Sequence, residues 1–320
     1  MPKLEFTDHK VCAHTLSANE IRQFTECPRK RYYSSRDCLA IRETKKNANL
    51  ELGKAFHMAI GHYYVETQKK LAELIGDRKP TKEEVDNAFL LVDAWDLPEG
   101  LVLSPDDEKM LWCMVDNYML TLKRDLVEYK IIQLELEIQM LDWPVPDCMY
   151  HGQIDMVVQS WDDGKYYFFE HKTCKAFRPD IYSRFDIQLH IYGTYGATKF
   201  APDNFGGMIL NQIKKAKTVN GYGESRDIYT YSIEEINDFF SWIKAKTEEC
   251  VSPSNKHAPC NNFMTCKMCP YAAICMKYGY EIPKTTEEIT KSDFFTEVDE
   301  DNNIVPMYSY DPREEEGGED

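Results

Sequence analysis

Hydrophobic residues recur at helical spacing through most of residues 1–129. Residues 50–75 carry apolar side chains three and four positions apart and contain no proline, which predicts a helix. Residues 82–95 and 106–129 have the same periodicity, and the helix-breaking sequence LPEG separates them. A shorter helix is predicted to begin after Ser17, where a glutamate three residues later completes a capping box. This part of the chain is therefore predicted to be mainly helical.

The pattern changes from helical periodicity to alternation at Lys130. Residues 131–140 and 151–160 alternate apolar with polar side chains and predict two strands. A DDG turn leads into a third strand at residues 165–172, which predicts a hairpin with the second strand. The apolar run at residues 206–215 is a candidate for a fourth strand.

Two further helices are predicted at residues 183–199 and 232–249. The second begins at Ser232, and Glu235 occupies its capping-box position. Strands that alternate with helices in this way predict a mixed α/β core over residues 130–250.

Charge is distributed unevenly along the chain. The net charge is −16, and residues 281–320 contain 14 acidic and 3 basic side chains. An acidic segment with few large apolar residues is predicted to be disordered and solvated. A solubilising tail is the simpler interpretation, and the alternative is a segment that competes with DNA or binds a protein partner. The composition, 43% hydrophobic and 29% charged, is otherwise ordinary for a globular protein.

The sequence predicts no membrane association. No apolar run approaches the length that crosses a bilayer. The N-terminal sequence MPKLEFTDHK lacks the basic and then apolar layout of a signal peptide. A cytoplasmic location is therefore expected, and the 11 cysteines are not expected to form a disulfide framework in a reducing compartment.

Two carboxylates and a lysine are the main candidates for a catalytic centre. Glu170 and Lys172 are two residues apart on a predicted strand and project to the same face. Asp155 lies on the preceding strand, where a hairpin can place it beside Glu170. Converging carboxylates suit Mg²⁺ or Mn²⁺, and an adjacent lysine can orient or activate water. Taken alone, a Glu-x-Lys sequence is more often a solvated pair, and a histidine such as His57 is more often a core residue.

Four short motifs occur in order along the chain: GKAFH at 53–57, GQID at 152–155, EHK at 170–172 and QLHIY at 188–192. This series resembles the RecB nuclease family within the PD-(D/E)XK superfamily. The resemblance implies a restriction-endonuclease-like core, which is a mixed central sheet flanked by helices. It also implies a metal-dependent hydrolase that acts on the phosphodiester bonds of DNA.

The resemblance also implies a role for each motif residue. The implied ligands of Mg²⁺ or Mn²⁺ are His57, Asp155, Glu170 and, through its backbone carbonyl, His171. Lys172 would act on the nucleophilic water, and the residues that would line the site are Gln188 and Tyr192. These last two are four positions apart on a predicted helix and therefore share one face.

The resemblance also implies a further glutamate on the strand before the G-x-x-D motif. Glu135 and Glu137 both fit because they share one strand face, and the alternative is that both lie on the solvated face. The histidine side chains interpreted as ordinary packing residues are His62, His171 and His190.

Three cysteines near the C-terminus have the spacing of a metal site. Cys266, Cys269 and Cys275 form C-x2-C-x5-C, and Cys27 lies far upstream. Four thiolates can enclose zinc or an iron–sulfur cluster, and spacing alone does not separate the two. One branch of RecB-like nucleases, which includes CRISPR-associated adaptation nucleases and AddB-type nucleases, has one cysteine before the nuclease core and three after it. The resemblance implies a structural [4Fe-4S] cluster, with zinc as the alternative and Cys260 as the alternative to Cys27.

Basic and aromatic residues near the predicted centre suit contact with DNA. The basic residues are Arg29, Lys30, Arg31, Lys175, Arg178, Arg184, Lys214, Lys215 and Lys217. The aromatic residues between them are Tyr32, Tyr33 and Phe177. Such a mixture suits neutralisation of phosphates and stacking on a single strand. No motif for base-specific readout is present, so cleavage without sequence specificity is expected.

The predicted function is an exonuclease on single-stranded or end-containing DNA, in recombination, repair, phage DNA metabolism or CRISPR adaptation. The alternative is a DNA-binding assembly subunit of a larger recombination or adaptation complex, with weak or no nuclease activity. A zinc-stabilised interaction module is a third interpretation. The predicted organisation is a helical part at 1–129, a nuclease core at 130–250, a Cys-rich iron–sulfur lobe at 251–280 and an acidic tail at 281–320.

Overall fold

The structure is a computed structural model that describes residues 13–34, 48–252, 263–267, 269, 271–278, 295–298 and 304–306. Its α-helices are α1 (Ala18–Glu26), α2 (Pro28–Ser34), α3 (Ala48–Ile75), α4 (Lys82–Phe89), α5 (Pro105–Glu128), α6 (Asp180–Arg184), α7 (Ile187–Phe200), α8 (Ile233–Val251), α9 (Phe263–Lys267) and α10 (Ala272–Tyr278). Its strands are β1 (His14–Leu16), β2 (Tyr129–Leu141), β3 (Cys148–Ser160), β4 (Tyr166–Cys174), β5 (Phe205–Lys214), β6 (Glu224–Tyr229), β7 (Phe295–Val298) and β8 (Ile304–Pro306).

The described residues belong to two compact units. The first unit contains residues 48–140 and 151–241. The second contains residues 13–34, 141–150 and the described residues from 242 onward.

A mixed sheet forms the centre of the first unit. β3 pairs with β2 on one side and, in the antiparallel sense, with β4 on the other. β4 pairs in parallel with β5, which pairs antiparallel with β6. The predicted mixed α/β core and the predicted hairpin of the second and third strands are confirmed. β6 was not predicted, because its sequence ESRDIY has too few apolar residues to alternate clearly.

Helices α3 and α5 bury their apolar faces against the sheet. Phe56 of α3, Leu122 of α5 and Phe169 of β4 are fully buried members of one core cluster. Removing one such side chain from water contributes roughly 1.5–3 kcal/mol to folding. In the part of the chain that the structure describes, no helix combines the length and apolar character needed to cross a membrane.

The predicted helix at residues 183–199 is instead two helices, α6 and α7. Asp186 interrupts the helical path and caps α7, because its carboxylate accepts hydrogen bonds from the backbone N–H groups of Gln188 at 2.9 Å and Leu189 at 3.3 Å. The helix predicted at 82–95 is also shorter, and it ends at Phe89.

Glycines let α7 approach the sheet closely. A Cβ atom added at Gly196 would lie 2.4 Å from the ring of Phe205 on β5, and one at Gly193 would lie 2.7 Å from the ring of Tyr231. Both contacts are too short for any larger side chain. The glycines therefore set the position of the helix that carries Gln188.

The second unit contains β1 and two small clusters of packed side chains. β1 pairs in parallel with residues 148–150, the first three residues of β3. Ser17 caps α1 in a capping box with Glu20, as predicted. One cluster contains Leu16, Phe24, Val145, Cys148 and Cys250, and the other contains Tyr33, Tyr271 and Ile274.

Disorder over all of residues 281–320 was predicted, and two short segments differ from that prediction. β7 and β8 pair antiparallel, with Glu297 opposite Val305 and Val298 opposite Ile304. Val and Ile in these segments favour a strand. The rest of the predicted acidic tail lies outside the described residues.

Candidate active site

The β3–β4 hairpin brings Asp155 and Glu170 to adjacent positions in the sheet. Its register pairs Met156 with Phe169, so Asp155 and Glu170 follow at the next position of the ladder. Asp155 Oδ2 accepts a hydrogen bond of 2.6 Å from the backbone N–H of His171. Glu170 is only 2% exposed. A carboxylate so far from water requires a proton, a donor or a cation.

Helix α3 contributes His57 to the same place. The Nδ1 atom of His57 lies 3.5 Å from Oδ1 of Asp155, and its Nε2 atom lies 3.0 Å from the backbone carbonyl oxygen of His171. Phe56, one residue earlier, is fully buried in the core and fixes the rotation of α3. An imidazole, a carboxylate and a carbonyl therefore converge at one point.

Glu135 of β2 completes a group of three possible metal ligands. Ligand atoms of His57, Glu135 and Asp155 all lie within 4.8 Å of one another. Glu135 has a φ of 48°, in the left-handed region that is costly for a residue other than glycine. Ile131 is buried before it, whereas the even positions of 136–140 are buried after it, so the alternation shifts at Glu135. A backbone irregularity of this kind re-aims a side chain.

The sequence did not distinguish Glu135 from Glu137 as the further carboxylate, and the structure places the two side chains differently. Glu135 belongs to the three-residue ligand group, whereas Glu137 does not. Burial raises the pKa of Glu135, and the nearby charge of Asp155 raises it further.

Lys172 and Gln188 surround one oxygen of Glu170. Lys172 Nζ forms an ion pair with Glu170 Oε1, and Gln188 Nε2 donates to the same oxygen at 3.0 Å. Lys172 Nζ also donates to Gln188 Oε1 at 3.0 Å. Among the described residues, no hydrogen-bond partner faces the buried Oε2 atom of Glu170. This oxygen can accept a further ligand.

Tyr192 supports Gln188 from one turn further along α7. Its hydroxyl donates to the carbonyl of Gln153 at 2.8 Å and accepts from the N–H of Gln153 at 3.1 Å. Gln188 Nε2 donates to the same hydroxyl at 3.2 Å. Tyr192 is 3% exposed, so it positions Gln188 rather than lining an open site.

The pKa values of the two neighbouring carboxylates are shifted in opposite directions. Burial raises the pKa of Glu170 to about 7, and the charge of Asp155 adds to this effect. Burial would also raise the pKa of Asp155, but the charge of His57 and a hydrogen bond from His171 hold it well below its usual range. Without a cation, Asp155 therefore loses its proton more readily than Glu170.

Nearby charges also shift the pKa values of the basic groups in the centre, His57 and Lys172. Burial alone would lower the pKa of His57, but the charge of Asp155 outweighs burial and raises it to about 8. Burial alone would likewise lower the pKa of Lys172, but the charge of Glu170 outweighs the effect of burial and the pKa is raised. Lys172 therefore carries a positive charge at the centre.

A buried polar network holds the side chain of His171, which was predicted to be an ordinary packing residue. Tyr118 OH lies 3.0 Å from His171 Nε2 and 3.1 Å from Tyr64 OH. Tyr64 donates to Asp125 at 2.6 Å, and Asp125 forms a bidentate ion pair with Arg226. The network thus links the side chain of His171 to residues on α3, α5 and β6.

The sequence did not indicate this network. Asp125 and Arg226 lie 101 positions apart, on a helix and on a strand that was not predicted. Glu135 was a candidate because the resemblance implies a glutamate on its strand. The network gives no such signal, since tyrosine and aspartate occur throughout the chain.

The donor set at this centre fits a hard divalent cation. Carboxylate oxygens, one imidazole and one backbone carbonyl are ligands that suit Mg²⁺ or Mn²⁺. The unpartnered Oε2 of Glu170 supports the fit. Glu170 itself lies outside the group of atoms within 4.8 Å, although the charges of Asp155 and His57 affect its pKa.

Three of the four predicted cluster cysteines lie within electrostatic reach of one another. Burial raises the pKa of Cys269 to about 11, and the charges of Cys275 and Cys27 add to this effect. Burial also raises the pKa of Cys275, while the adjacent Arg29 opposes the increase. Cys266 is exposed, and its carbonyl accepts from the N–H of Cys269 at 3.1 Å. No three thiols of the described residues lie within 4.8 Å of one another. Cys260 lies outside the described residues.

Part of the predicted DNA-contact surface is buried. Arg29 is 1% exposed and Arg31 is 2% exposed, and Tyr33 is fully buried. The short helix α2 packs these residues inward, and Tyr33 contacts the ring of Tyr271 at 5.5 Å between centroids. These three residues cannot reach DNA in this conformation.

Comparison with known proteins identifies the family. The family model described as PD-(D/E)XK nuclease superfamily matches residues 15–276. No curated protein matches the chain significantly. Among solved structures, the crystal structure of SSO0001 matches with 15% identity over 88% of this chain and 92% of that chain. Its TM-score of 0.36 is too low to support an argument about this chain. By the family match, the chain belongs to the PD-(D/E)XK nuclease superfamily.

Proposed function

We propose that the protein is a Mg²⁺- or Mn²⁺-dependent deoxyribonuclease that acts as an exonuclease on single-stranded or end-containing DNA. Membership of the superfamily implies a metal-dependent nuclease with DNA as its substrate. The observation that carries the proposal is the buried carboxylate of Glu170. Lys172 and Gln188 bind one of its oxygens, and the other has no partner among the described residues.

The chain offers a set of oxygen and nitrogen donors for the cation. The residues that would hold it are His57, Glu135, Asp155, Glu170 and the backbone carbonyl of His171. When bound, a divalent cation supplies electrophilic stabilisation of the phosphate and lowers the pKa of a water molecule.

Lys172, Gln188 and Tyr192 would orient the reacting groups. Lys172 carries its charge beside Glu170, where it can hold a nucleophilic water or stabilise charge that develops on a phosphate. Gln188 holds both Lys172 and Glu170, and Tyr192 fixes Gln188 against the backbone of β3. Such support keeps a nucleophile and a phosphate in productive geometry.

We also propose that Cys27, Cys269, Cys275 and Cys266 hold a structural [4Fe-4S] cluster. Thiolates that bind zinc at about 2.3 Å in a tetrahedron lie about 3.8 Å apart. No three thiols of the described residues lie that close to one another. The order of one cysteine before the nuclease core and three after it supports the iron–sulfur cluster. The raised pKa of Cys269 and Cys275 also indicates that their thiolates need a compensating positive charge.

The nuclease is tested with 5′- and 3′-labelled single- and double-stranded DNA in Mg²⁺ or Mn²⁺. Asp155→Ala and Lys172→Ala are expected to reduce cleavage by at least about a hundredfold. Asp162→Asn, in the exposed hairpin turn, is the matched control and should cleave like the wild type. Equal degradation by all four proteins would show that the assigned centre is not responsible.

The cluster is tested by purifying the protein without oxygen and measuring colour, iron and zinc. A brown, iron-containing protein is expected, and Cys269→Ala should lose the iron while Cys113→Ala keeps it. A colourless protein loaded with zinc would overturn the iron–sulfur assignment.

A further inference from the structure

Four large apolar side chains are exposed within one short segment of the first unit. Phe177 is 40% exposed, Ile181 63%, Tyr182 69% and Phe185 70%. Three of the four are aromatic, and the segment includes the single turn of α6. Exposed apolar side chains that are concentrated in one short segment, rather than scattered singly over the surface, indicate an interaction site.

The segment begins and ends at the catalytic centre. Lys172 precedes it and Gln188 follows it, and these two side chains are joined by a hydrogen bond of 3.0 Å. Phe185 and Tyr182 are three and six residues before Gln188, so their Cα atoms lie within about 10 and 20 Å of its Cα atom. Stacked bases are spaced about 3.4 Å apart along a strand. The aromatic side chains are therefore within reach of the nucleotides that flank the centre.

Hydrogen bonds fix the backbone that carries these side chains. The backbone N–H of Arg178 donates to Gln212 Oε1 at 2.7 Å, and Tyr229 OH donates to Asp180 Oδ1 at 3.0 Å. Asp186 caps α7 at the end of the segment. Because the backbone is held from β5 and β6, the rings are presented from a fixed support.

Charge near the segment favours a polyanion over a protein surface. Residues 172–186 contain four basic and two acidic residues, in a chain whose net charge is −16. Arg178 pairs with Asp186 at 3.1 Å, and its side chain is 48% exposed and therefore open to a phosphate. Lys215, whose backbone N–H donates to the carbonyl of Cys174 at 2.8 Å, lies within electrostatic reach of Lys175 and adds positive charge beside the segment.

We infer that Phe177, Tyr182 and Phe185 form a stacking platform for the unpaired bases of single-stranded DNA beside the nuclease centre. Stacking on aromatic side chains tolerates any base, in agreement with cleavage without sequence specificity. In a duplex the base faces are already covered by neighbouring pairs, so the platform selects unpaired strands. This inference rests on the proposed nuclease function and gives it a substrate class.

The test measures DNA binding in EDTA, where no cleavage occurs. Fluorescence anisotropy gives the Kd for labelled oligo(dT) and for a blunt hairpin duplex. Tyr182→Ala and Phe185→Ala are each expected to weaken oligo(dT) binding by about 5- to 150-fold and to change duplex binding far less. Tyr182→Phe and Phe185→Tyr, which keep an aromatic ring at each position, should bind oligo(dT) with wild-type affinity. Leu120→Ala on α5, which removes a side chain that is 78% exposed, is the matched control.

Three results would contradict the proposal that these side chains form a stacking platform. The first is unchanged oligo(dT) affinity in both alanine variants, and the second is an equal loss for oligo(dT) and duplex. The third is a wild-type oligomer that dissociates in the alanine variants without a change in DNA affinity, which would indicate a protein interface. Because binding is measured without metal, a failure of cleavage in Mg²⁺ would remove the nuclease proposal and leave this result interpretable.

Discussion

The Nε2 atom of His57 lies 3.0 Å from the backbone carbonyl oxygen of His171. A ring nitrogen must carry a proton to bond to a carbonyl, and it must lose that proton to bind a cation. The imidazole of His57 and the carbonyl of His171 both belong to the proposed ligand set. The hydrogen bond and the cation therefore compete for the same atoms.

Cation binding is expected to strengthen as pH rises. The pKa of His57 is raised to about 8 and that of Glu170 to about 7, so both groups hold protons at pH 6 that a cation must displace. Affinity should rise by up to tenfold per pH unit for each proton released. Mn²⁺ titration calorimetry between about pH 6 and 9 measures this, and a flat profile would contradict the ligand set.

Glu135→Gln is expected to weaken Mn²⁺ binding by at least about tenfold, because it removes a charged oxygen from the ligand group. Glu137→Gln is the control on the same strand and should bind Mn²⁺ like the wild type. The same loss in both variants would show that general negative charge, rather than the kink at Glu135, determines binding.

Gln188→Ala is expected to lower kcat by about 10- to 100-fold with a smaller effect on KM. Gln188 aligns Lys172 with Glu170, and without it the ion pair is free to rotate. Single-turnover cleavage of labelled DNA measures the effect. Gln133→Ala, an exposed glutamine on β2, is the control, and an unchanged kcat in Gln188→Ala would argue against the positioning role.

Asp125→Ala is expected to destabilise the protein by about 3–5 kcal/mol, because it leaves the Arg226 guanidinium without its buried partner. Urea unfolding measures the free energy. The partly exposed pair of Asp86 and Lys123, at 3.0 Å, provides the control, and Asp86→Ala should cost less than about 1 kcal/mol. Similar costs for both variants would mean that the buried pair has no special role.

Gly196→Ala is expected to destabilise the protein by about 1–3 kcal/mol, since the added methyl group would lie 2.4 Å from the ring of Phe205. Gly61→Ala is the helical control, because its Cβ would meet Leu134 at an ordinary 3.5 Å. That substitution should be neutral or stabilising by up to about 1 kcal/mol. Thermal unfolding distinguishes the two, and equal shifts would contradict the packing argument.

Local patterns predicted much of the first unit. The DDG turn and the alternation around it predicted the β3–β4 hairpin, and strand geometry alone placed Glu170 and Lys172 on one face. The capping boxes at Ser17 and Ser232 are also local, because the donor and acceptor lie three residues apart.

Other features could not be predicted because they depend on contacts between distant segments. The break at Asp186 divides a continuous helical pattern, and the burial of Arg29 and Arg31 reverses the usual preference of arginine for the surface. Aromatic exposure at Tyr182 and Phe185 likewise has no sequence signal, since such side chains are usually packed.

The sequence by itself determined which chemistry this protein carries: the order of its motifs, the carboxylates and lysine of the centre, and the strand face that presents them. Tertiary structure decided which residues complete that chemistry. It placed Glu135, rather than Glu137, near His57 and Asp155, placed Glu170 beside Gln188, and connected His171 to a buried network. Strand and helix periods act over a few residues, whereas burial and pKa depend on segments that are brought together only by folding.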